Sequence, residues 1–215
     1  MAAGNDYNHY PVMEREPFPE KYIFDESDLP ADSGWSMRGI LSEIEAGRVP
    51  EDFRRFFDRD PERTTPGDAG LIVAPADGLL ELRRRAGRAP EFVVHLRLTD
   101  VHVQRVPLAG TVREVRSEGS GFFYPDQEGY WGGVQTATTI DSAAGAYVVR
   151  QITTLITRRI ENYLAPGAAV ATGQRLGRIR LGSTVVLELP GRWEPLGRDG
   201  QKVVGGETPL ARLSP

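Results

Sequence analysis

The stretch Gly70-Leu-Ile-Val-Ala-Pro-Ala-Asp-Gly-Leu-Leu-Glu-Leu82 decides the fold class of this chain. Two short apolar runs flank the motif Pro75-Ala-Asp-Gly78, whose proline and glycine favour a change of chain direction. Similar runs rich in Val, Ile, Leu and Thr follow to the end of the chain, with Gly or Pro about every 8 to 12 residues. This pattern predicts a mainly β (α+β) protein, a barrel-like β sandwich of short strands and hairpins.

One of the predicted strand regions is ambiguous. The segment from Ala146 to Tyr163 includes Ile-Thr-Thr-Leu-Ile-Thr, which also fits a helix, but its β-branched residues favour a strand with a break. The predicted strands are Leu71 to Ala74, Gly78 to Arg84, Glu91 to Leu98, Gly110 to Arg116, Gln135 to Ile140, Ala146 to Tyr163, Arg175 to Arg180, Thr184 to Leu189 and Thr208 to Leu213.

Two weak internal repeats suggest that the β region has two similar halves. Pro75-Ala-Asp-Gly78 and Pro107-Leu-Ala-Gly110 each precede a predicted strand. Gly167-x-x-Val170-x-x-Gly173 and Gly200-x-x-Val203-x-x-Gly206 each lie in a predicted turn, where glycine is suited to positive φ.

The region before the β domain differs in composition. Residues 1–30 are polar and lack periodicity, which predicts an extended arm, and residues 31–64 form a short helical region. Asp32 and Ser33 are predicted to cap a helix that ends near Gly47, and a second short helix is expected from Pro50 to Phe57. Residues 65–215 then form the β domain. The apolar face of the first helix comprises Trp35, Ile40, Leu41 and Ile44.

Composition excludes several classes of function. The 215 residues include no cysteine and 3 histidines, so disulfides, thiolate chemistry and a metal site are not expected. The net charge of −4 gives little support to nucleic-acid binding. No apolar run is long enough to span a bilayer, so we expect a soluble protein that at most docks on a membrane surface. The basic clusters suit either phosphate headgroups or solvated strand edges, and they comprise Arg83, Arg84, Arg85 and Arg88, and the pair Arg158 and Arg159.

The small cluster Leu181-Gly182-Ser183-Thr184 lies between two apolar strands without an evident turn function. By itself it is typical of a β-bulge or a bend in a strand. Other motifs give it context, since in order and spacing the chain resembles the phosphatidylserine decarboxylases from Phe56 to Leu213. The motifs that carry the resemblance are Phe56-Phe57-Asp58-Arg59-Asp60-Pro61-Glu62-Arg63, Val73-Ala74-Pro75-Ala76-Asp77-Gly78, Asp100-Val101-His102-Val103-Gln104-Arg105-Val106-Pro107, Thr157-Arg158-Arg159-Ile160, Gly173-Gln174-Arg175-Leu176-Gly177 and Leu181-Gly182-Ser183-Thr184.

The resemblance implies a proenzyme that cleaves itself between Gly182 and Ser183 into a β chain, residues 1–182, and an α chain, residues 183–215. A serine hydroxyl can attack the preceding carbonyl, and glycine leaves that carbonyl unhindered. The resemblance further implies that Ser183 becomes a covalent pyruvoyl group, which forms a Schiff base with the substrate amine and accepts the electrons released with CO2, in place of pyridoxal phosphate or a metal.

The resemblance also implies roles for other side chains. His102 would protonate the substrate carbanion, while Asp77 and Asp100 would orient the base and support self-cleavage. Thr184 would donate a hydrogen bond near the scissile carbonyl. Some family members have a second histidine, the base for self-cleavage, where this chain has Arg105, so His102 assisted by Asp77 is the expected base here. A homologue that does not process itself is the alternative.

The segment from Gly121 to Gly133 departs from the family, which usually has an Asn-Glu-Arg triplet there. Its aromatic residues fit an apolar mouth for acyl chains, a site for a small aromatic amino acid, or core packing. The substrate is therefore expected to be phosphatidylserine, converted to phosphatidylethanolamine, or alternatively a soluble amino acid. The residues expected to bind it are Phe122, Phe123, Tyr130, Trp131 and Arg158.

Partners and location follow from this reading. We expect the cleaved α and β chains to stay together, a homo-oligomer such as a dimer, no nucleic acid, and a cytoplasmic protein in peripheral contact with the inner face of the cell membrane. A rival from another class is a biotinyl or lipoyl carrier module, which has similar glycine turns and would be modified at Lys202.

Overall fold

The computed structural model describes residues 29–68, 70–83, 91–123, 127, 129–154, 159–180, 183–189 and 193–213. Two α-helices, α1 at Met37–Glu45 and α2 at Glu51–Phe57, precede the strands. Neither of these described helices is long and apolar enough to cross a membrane. The predicted arm, residues 1–30, falls almost entirely outside the described residues.

The first helix starts later than its sequence predicts. Asp32 and Ser33 lie in a turn, where the Ser33 amide donates to the carbonyl of Pro30 over 2.9 Å. The N-cap is Ser36, which has an extended backbone and accepts a hydrogen bond from the Gly39 amide over 3.2 Å. The prediction of an Asp32 and Ser33 cap was therefore wrong, because the chain is still turning at those residues.

Both helices bury apolar side chains in one small cluster beside the sheet. Phe53 and Phe57 of α2 are fully or almost fully buried, and Ile40 and Ile44 of α1 pack with them. Leu98, which follows a strand of the β domain, belongs to the same cluster and so joins the helical region to the sheet.

The β domain confirms the mainly β prediction with short strands throughout. The strands are β1 Leu71–Val73, β2 Gly78–Arg83, β3 Glu91–Leu96, β4 Val103–Arg105, β5 Gly110–Glu118, β6 Gln135–Ser142, β7 Gly145–Thr153, β8 Ile160–Asn162, β9 Ala169–Val170, β10 Arg175–Ile179, β11 Ser183–Glu188, β12 Trp193–Pro195, β13 Lys202–Val203 and β14 Pro209–Leu213.

The strands form three sheets. The largest has the order β13-β2-β3-β11-β7-β6-β5-β9, and β11 lies at its centre between β3 and β7, antiparallel to both. The two smaller sheets are β1-β14-β12 and β4-β10-β8. The ambiguous segment from Ala146 to Tyr163 is extended, as its β-branched residues predicted, and contributes β7 and β8.

Four short strands were missing from the sequence prediction: β4, β9, β12 and β13. Each has only two or three residues. Segments of this length show no periodicity, so only pairing with a neighbouring strand defines them. Conversely, the predicted strand from Glu91 to Leu98 ends at Leu96, because residues 98–100 form a turn closed by the Asp100 amide, which donates to the Arg97 carbonyl over 3.0 Å.

The internal repeat has a direct structural counterpart. The two Pro-x-x-Gly segments cross each other, since the Val73 amide donates to the Pro107 carbonyl over 3.1 Å and the Arg105 amide donates to the Pro75 carbonyl over 2.8 Å. Val73 and Arg105 stand two residues before their respective prolines, so the two hydrogen bonds are equivalent by a local two-fold relation.

The glycine turns extend this two-fold relation. The Gly206 amide donates to the Ala74 carbonyl, and the Gly173 amide donates to the Val106 carbonyl, each over 2.8 Å. The short strands β9 and β13 occupy matching places, pairing with the starts of β5 and β2 respectively. The predicted pair of similar halves is thereby confirmed, and the glycines 167, 173, 200 and 206 all have positive φ.

The central strand β11 is buried on both faces of the largest sheet. One face packs on the main core, which includes Val94, Val185 and Leu187, and the other face packs on a smaller cluster that includes Val186 and Tyr130. Alternate residues of β11 therefore point into different surroundings.

Gly78 is expected to tolerate no larger residue, because its φ is +149° and an added Cβ would lie 2.3 Å from the carbonyl oxygen of His95. Gly167 has a φ of +85° but open space around an added Cβ. Both substitutions are made in a chain that carries Ser183→Ala, so that the expected self-cleavage does not affect the measurement. In urea unfolding, Gly78→Ala should lower the free energy of unfolding by about 3 kcal/mol or more, and Gly167→Ala should lower it by about 1 kcal/mol. Equal losses would contradict this close approach.

Candidate active site

Ser183 is the first residue of β11, paired with Leu96 of β3 and Thr153 of β7. Its side chain is buried, and its Oγ has no hydrogen-bond partner within the described part of the chain. A buried hydroxyl normally finds a partner, so this one needs a reason other than stability. Gly182, the other half of the expected cleavage site, lies outside the described residues.

Three further residues expected at the site come to the same end of the sheet. Leu96, the partner of Ser183, ends β3 and leads directly into the turn that carries Asp100 and His102. The register of β2 on β3 places Gly78 opposite Leu96, so Asp77 also stands at this end. The fold thus gathers Asp77, Asp100 and His102 around the end at which Ser183 starts its strand.

His102 is a buried, neutral imidazole. Its Nδ1 lies 2.9 Å from the backbone carbonyl of Asp100, which can only accept, so the ring proton belongs on Nδ1 and Nε2 has the lone pair. Burial, with the nearby charges of Arg59 and Arg178, lowers the pKa of His102 to about 3. The ring also packs on Phe57, with 4.2 Å between ring centroids.

Buried amides hold the backbone of His102 from behind. The Gln104 side chain donates to the His102 carbonyl over 2.8 Å, and the Gln151 side chain donates to Gln104 over 2.8 Å. Both glutamine side chains are completely buried. Satisfied polar chains of this kind fix one arrangement of the groups they contact, here the position of His102.

Asp77 is held by a cation and a backbone amide. Its carboxylate accepts two hydrogen bonds from Arg63 Nη2, over 2.8 and 3.0 Å, and one from the Gly205 amide over 2.8 Å. Burial raises the pKa of Asp77, and the Gly205 and Arg63 contacts oppose that shift. Arg59 lies close enough to both Asp77 and Asp100 to interact with their charges.

Asp100 closes the turn that precedes His102. Its Oδ2 accepts from the Arg97 amide over 2.8 Å and from Arg97 Nε over 3.3 Å. The carboxylate thus holds the turn that precedes His102.

Arg105 has a structural role in this arrangement. Its guanidinium donates to Asp60 and to the Pro61 carbonyl, each over 2.8 Å, and only 3% of the residue is exposed. A paired guanidinium does not act as a base, so the base that some family members place at this position is replaced here by a clamp on the Asp58–Arg63 segment. Further ion pairs bind this segment to the β domain: Arg178 with Asp58, Arg175 with Asp60, and Arg175 with Glu62.

The aromatic residues expected to bind substrate lie on the opposite face of β11. Tyr130 is fully buried and donates to Thr184 Oγ1 over 2.6 Å, so in this structure it packs in the core. Phe123 is partly buried against the same cluster. Trp131 is 37% exposed, and the Arg83 guanidinium stacks on it at 3.6 Å.

Trp131 also lines a pocket of about 200 Å³ on this face, together with Arg83, Glu91 and Arg150. Phe122 is half-buried beside Phe123 in the chain. The expected substrate contact Arg158 lies outside the described residues, as do Arg84, Arg85 and Arg88.

Comparison with known proteins bears directly on these motifs. A family model described as phosphatidylserine decarboxylase matches residues 51–211. Proteins named phosphatidylserine decarboxylase proenzyme are similar to this chain. The one from Chlorobaculum tepidum is 35% identical over 167 residues, 74% of this chain and 77% of the relative. The one from Symbiobacterium thermophilum is 34% identical over 189 residues, 83% of this chain and 85% of the relative.

The chain belongs to the phosphatidylserine decarboxylase family. The resemblance drawn from the sequence motifs is thus confirmed, and the decarboxylase reading is favoured over the carrier module. The relative from Saccharopolyspora erythraea, with the same printed name, is 36% identical over 192 residues, 84% of this chain and 79% of the relative.

Sequence reasoning missed three contributors to the site of this phosphatidylserine decarboxylase family member. Arg59 and Gln151 are more than 40 residues from His102 in the sequence, and only the folded chain brings them close to it. His95 lies 3.3 Å from Thr184 Oγ1, because β3 and β11 pair in a register that sets these two residues opposite each other. Alternation in β3 placed His95 on one face of a strand, but only the strand pairing identifies its partner.

The neutral state of His102 predicts a pH-dependent stability. The folded pKa of about 3 lies below the ordinary value of 6.5, so between these values the unfolded chain binds a proton that the folded chain does not. In the Ser183→Ala chain, the free energy of unfolding should therefore fall by about 3 kcal/mol as pH drops from 7 to 4. His102→Asn should remove this part of the slope in urea unfolding at stepped pH; parallel curves for the two chains would contradict the assignment.

The Arg63 and Asp77 pair should be strongly coupled. Arg63→Met leaves a buried carboxylate without its cation and should cost about 3 kcal/mol, whereas the double variant with Asp77→Asn should recover a large part of that loss. The exposed pair of Arg212 and Asp68, 48% and 45% exposed, is the matched control, and Arg212→Met should cost less than about 1 kcal/mol. Additive losses in the double-mutant cycle would show that the pair is not coupled.

Proposed function

We propose that this chain is a self-processing, pyruvoyl-dependent decarboxylase that cuts itself between Gly182 and Ser183 and acts on phosphatidylserine. The observation that carries the proposal is the buried Ser183 hydroxyl, which lacks a hydrogen-bond partner among the described residues. Leaving such a group without a partner costs about 1 to 3 kcal/mol of stability. A serine whose oxygen takes part in a reaction explains why this cost is accepted. Family membership and the word proenzyme in the relatives' names support the same reading.

His102 is the proposed base. The carbonyl of Asp100 fixes the ring proton on Nδ1, so Nε2 is the atom that can accept the Ser183 proton. The low pKa of His102 keeps the ring neutral before reaction. A neutral imidazole can accept a proton, which suits the role of a base in self-cleavage. In the later decarboxylation, a substrate carboxylate beside the ring would raise the pKa of His102, so that the ring could carry the proton that is given to the substrate carbanion.

The bond changes of self-cleavage balance without an added oxidant or reductant. Ser183 Oγ adds to the Gly182 carbonyl carbon as its proton passes to His102, and the proton is then given to the departing Ser183 nitrogen, so the amide becomes an ester. A base then takes the α-proton of residue 183, and the bond between its Cβ and the ester oxygen breaks. Gly182 leaves as a free carboxylate, and residue 183 is left with a Cα–Cβ double bond. One water then enters and ammonia leaves, which gives the ketone of a pyruvoyl group.

The surroundings of Ser183 fit this group, since its side chain is buried and its Oγ has no hydrogen-bond partner within the part of the chain that the structure describes. Once formed, the pyruvoyl group supplies a ketone that condenses with the substrate amine and withdraws the electrons released with CO2. The chain's own contribution is to exclude water, to keep His102 neutral and to hold Asp77 and Asp100 at the same end of the sheet.

The α chain, residues 183–215, would remain bound after the cut. Its strand β11 is hydrogen-bonded between β3 and β7, β13 pairs with β2, and β14 pairs with β1, so four β-chain strands hold it. The two fragments should therefore separate only under denaturing conditions.

Replacement of Ser183 tests the proposal. Ser183→Ala should yield one uncut chain, because the attacking oxygen is gone, whereas wild type should give two fragments that meet at residues 182 and 183, the smaller one blocked at its N-terminus. Intact mass under denaturing conditions and reaction with a carbonyl reagent are the measurements. Ser117→Ala, a hydroxyl removed from the exposed face of β5, is the control and should process normally. Normal cleavage of Ser183→Ala, or an uncut wild type, would refute self-processing.

The substrate needs its own test. The relatives are named for phosphatidylserine, which supports a lipid substrate. The proposal for location is a cytoplasmic protein that docks peripherally on the membrane. Processed protein should release CO2 from vesicles that contain phosphatidylserine and sediment with them. Release of CO2 from a free amino acid without vesicle binding would instead assign it to the soluble-substrate alternative.

A further inference from the structure

A chain of four polar side chains lies on the face of the central sheet opposite the Ser183 side chain. The Tyr130 hydroxyl donates to Thr184 Oγ1 over 2.6 Å, and Thr184 Oγ1 is 3.3 Å from His95 Nδ1. His95 Nε2 is in turn 2.7 Å from Glu81 Oε2. The short 3-10 helix Tyr130–Gly132 is thereby connected through its Tyr130 side chain to three adjacent strands, β11, β3 and β2.

Hydrogen bonds at both ends of this chain hold the Thr184 hydroxyl. The hydrogen bond from His95 lowers the pKa of Glu81, so Glu81 is the acceptor and Nε2 of His95 is the donor. This contact holds the His95 ring in place, and its Nδ1 lies 3.3 Å from Thr184 Oγ1. Tyr130 donates to the same oxygen, so two side chains hold the Thr184 hydroxyl.

These contacts matter because of where Thr184 stands. Thr184 is completely buried and directly follows Ser183, whose own oxygen has no partner among the described residues. Among the described residues, no hydrogen bond orients the side chain of Ser183 itself. Thr184, one peptide unit away on the opposite face of β11, has a hydroxyl that hydrogen bonds hold in place.

We propose that His95, held by Glu81, is a positioning residue for self-processing, which acts by anchoring the Thr184 hydroxyl and so fixing the backbone from which Ser183 Oγ projects. This inference rests on the proposed function. Because Tyr130 and His95 both contact the Thr184 hydroxyl, the chain of side chains favours an anchoring role for Thr184 over donation to the scissile carbonyl. A small displacement of a reacting atom is enough to slow a reaction strongly, so an anchor one residue away has a kinetic effect.

Two substitutions of Thr184 separate an anchor from simple packing. Thr184→Val keeps the shape and loses the hydroxyl, and it should slow processing about tenfold, the equivalent of roughly one hydrogen bond. Thr184→Ser keeps the hydroxyl and loses the methyl group, and it should retain most of the wild-type rate. His95→Phe, which keeps a ring without either nitrogen, should slow processing to a similar degree as Thr184→Val.

The measurement is the fraction of cut chain against time after synthesis, resolved under denaturing conditions, with the thermal midpoint of each variant recorded alongside. If packing alone matters, the order reverses: Thr184→Val processes normally and Thr184→Ser is slow. That result, or normal processing of His95→Phe, would overturn the positioning role and leave self-processing intact. An uncut wild-type chain would overturn the proposed function and this inference together.

Discussion

The hydrogen-bonded ion pair between Arg63 and Asp77 joins three segments that are far apart in sequence. Arg63 lies in the segment that follows α2, and Asp77 directly precedes the strand β2. The Gly205 amide, which completes the contact, belongs to the turn before β14. Because both charges are largely buried, separating them would leave at least one of them without compensation in a dry interior. The helical region, the two-fold core and the end of the sheet that carries Ser183 are therefore held in one arrangement.

The same burial sets the electrostatics of the site. Arg59 and Arg178 stand near His102 and, with desolvation, keep its ring neutral, while the neighbouring aspartates offset the charge of these arginines. Arginine suits this function because it remains charged when buried and can bind two acceptors at once. In the part of the chain that the structure describes, paired charges thus surround the neutral His102 ring and a Ser183 hydroxyl without a hydrogen-bond partner.

Much of the fold was accessible from the sequence because its signals are local. The Pro-x-x-Gly motifs and the positive-φ glycines mark turns by their own stereochemistry, and strands of five or more residues show their β-branched composition directly. The cap at Ser36 and the short strands β4, β9, β12 and β13 were missed, since these depend on which backbone groups meet. For the site, motif order pointed to Ser183, His102, Asp77 and Asp100, and the fold brings all four to one end of the sheet.

The amino-acid sequence was enough to predict a mainly β chain with a repeated turn motif, and to find the motifs of the family in their usual order and spacing. Which side chains contact each other could be seen only in the folded structure. It turned Arg105 into a clamp on Asp60, buried Tyr130 and set His95 opposite Thr184. The physical reason is that strand register and charge pairing join residues that can be more than a hundred positions apart in the chain. Local sequence preferences do not show which distant residue will be the partner.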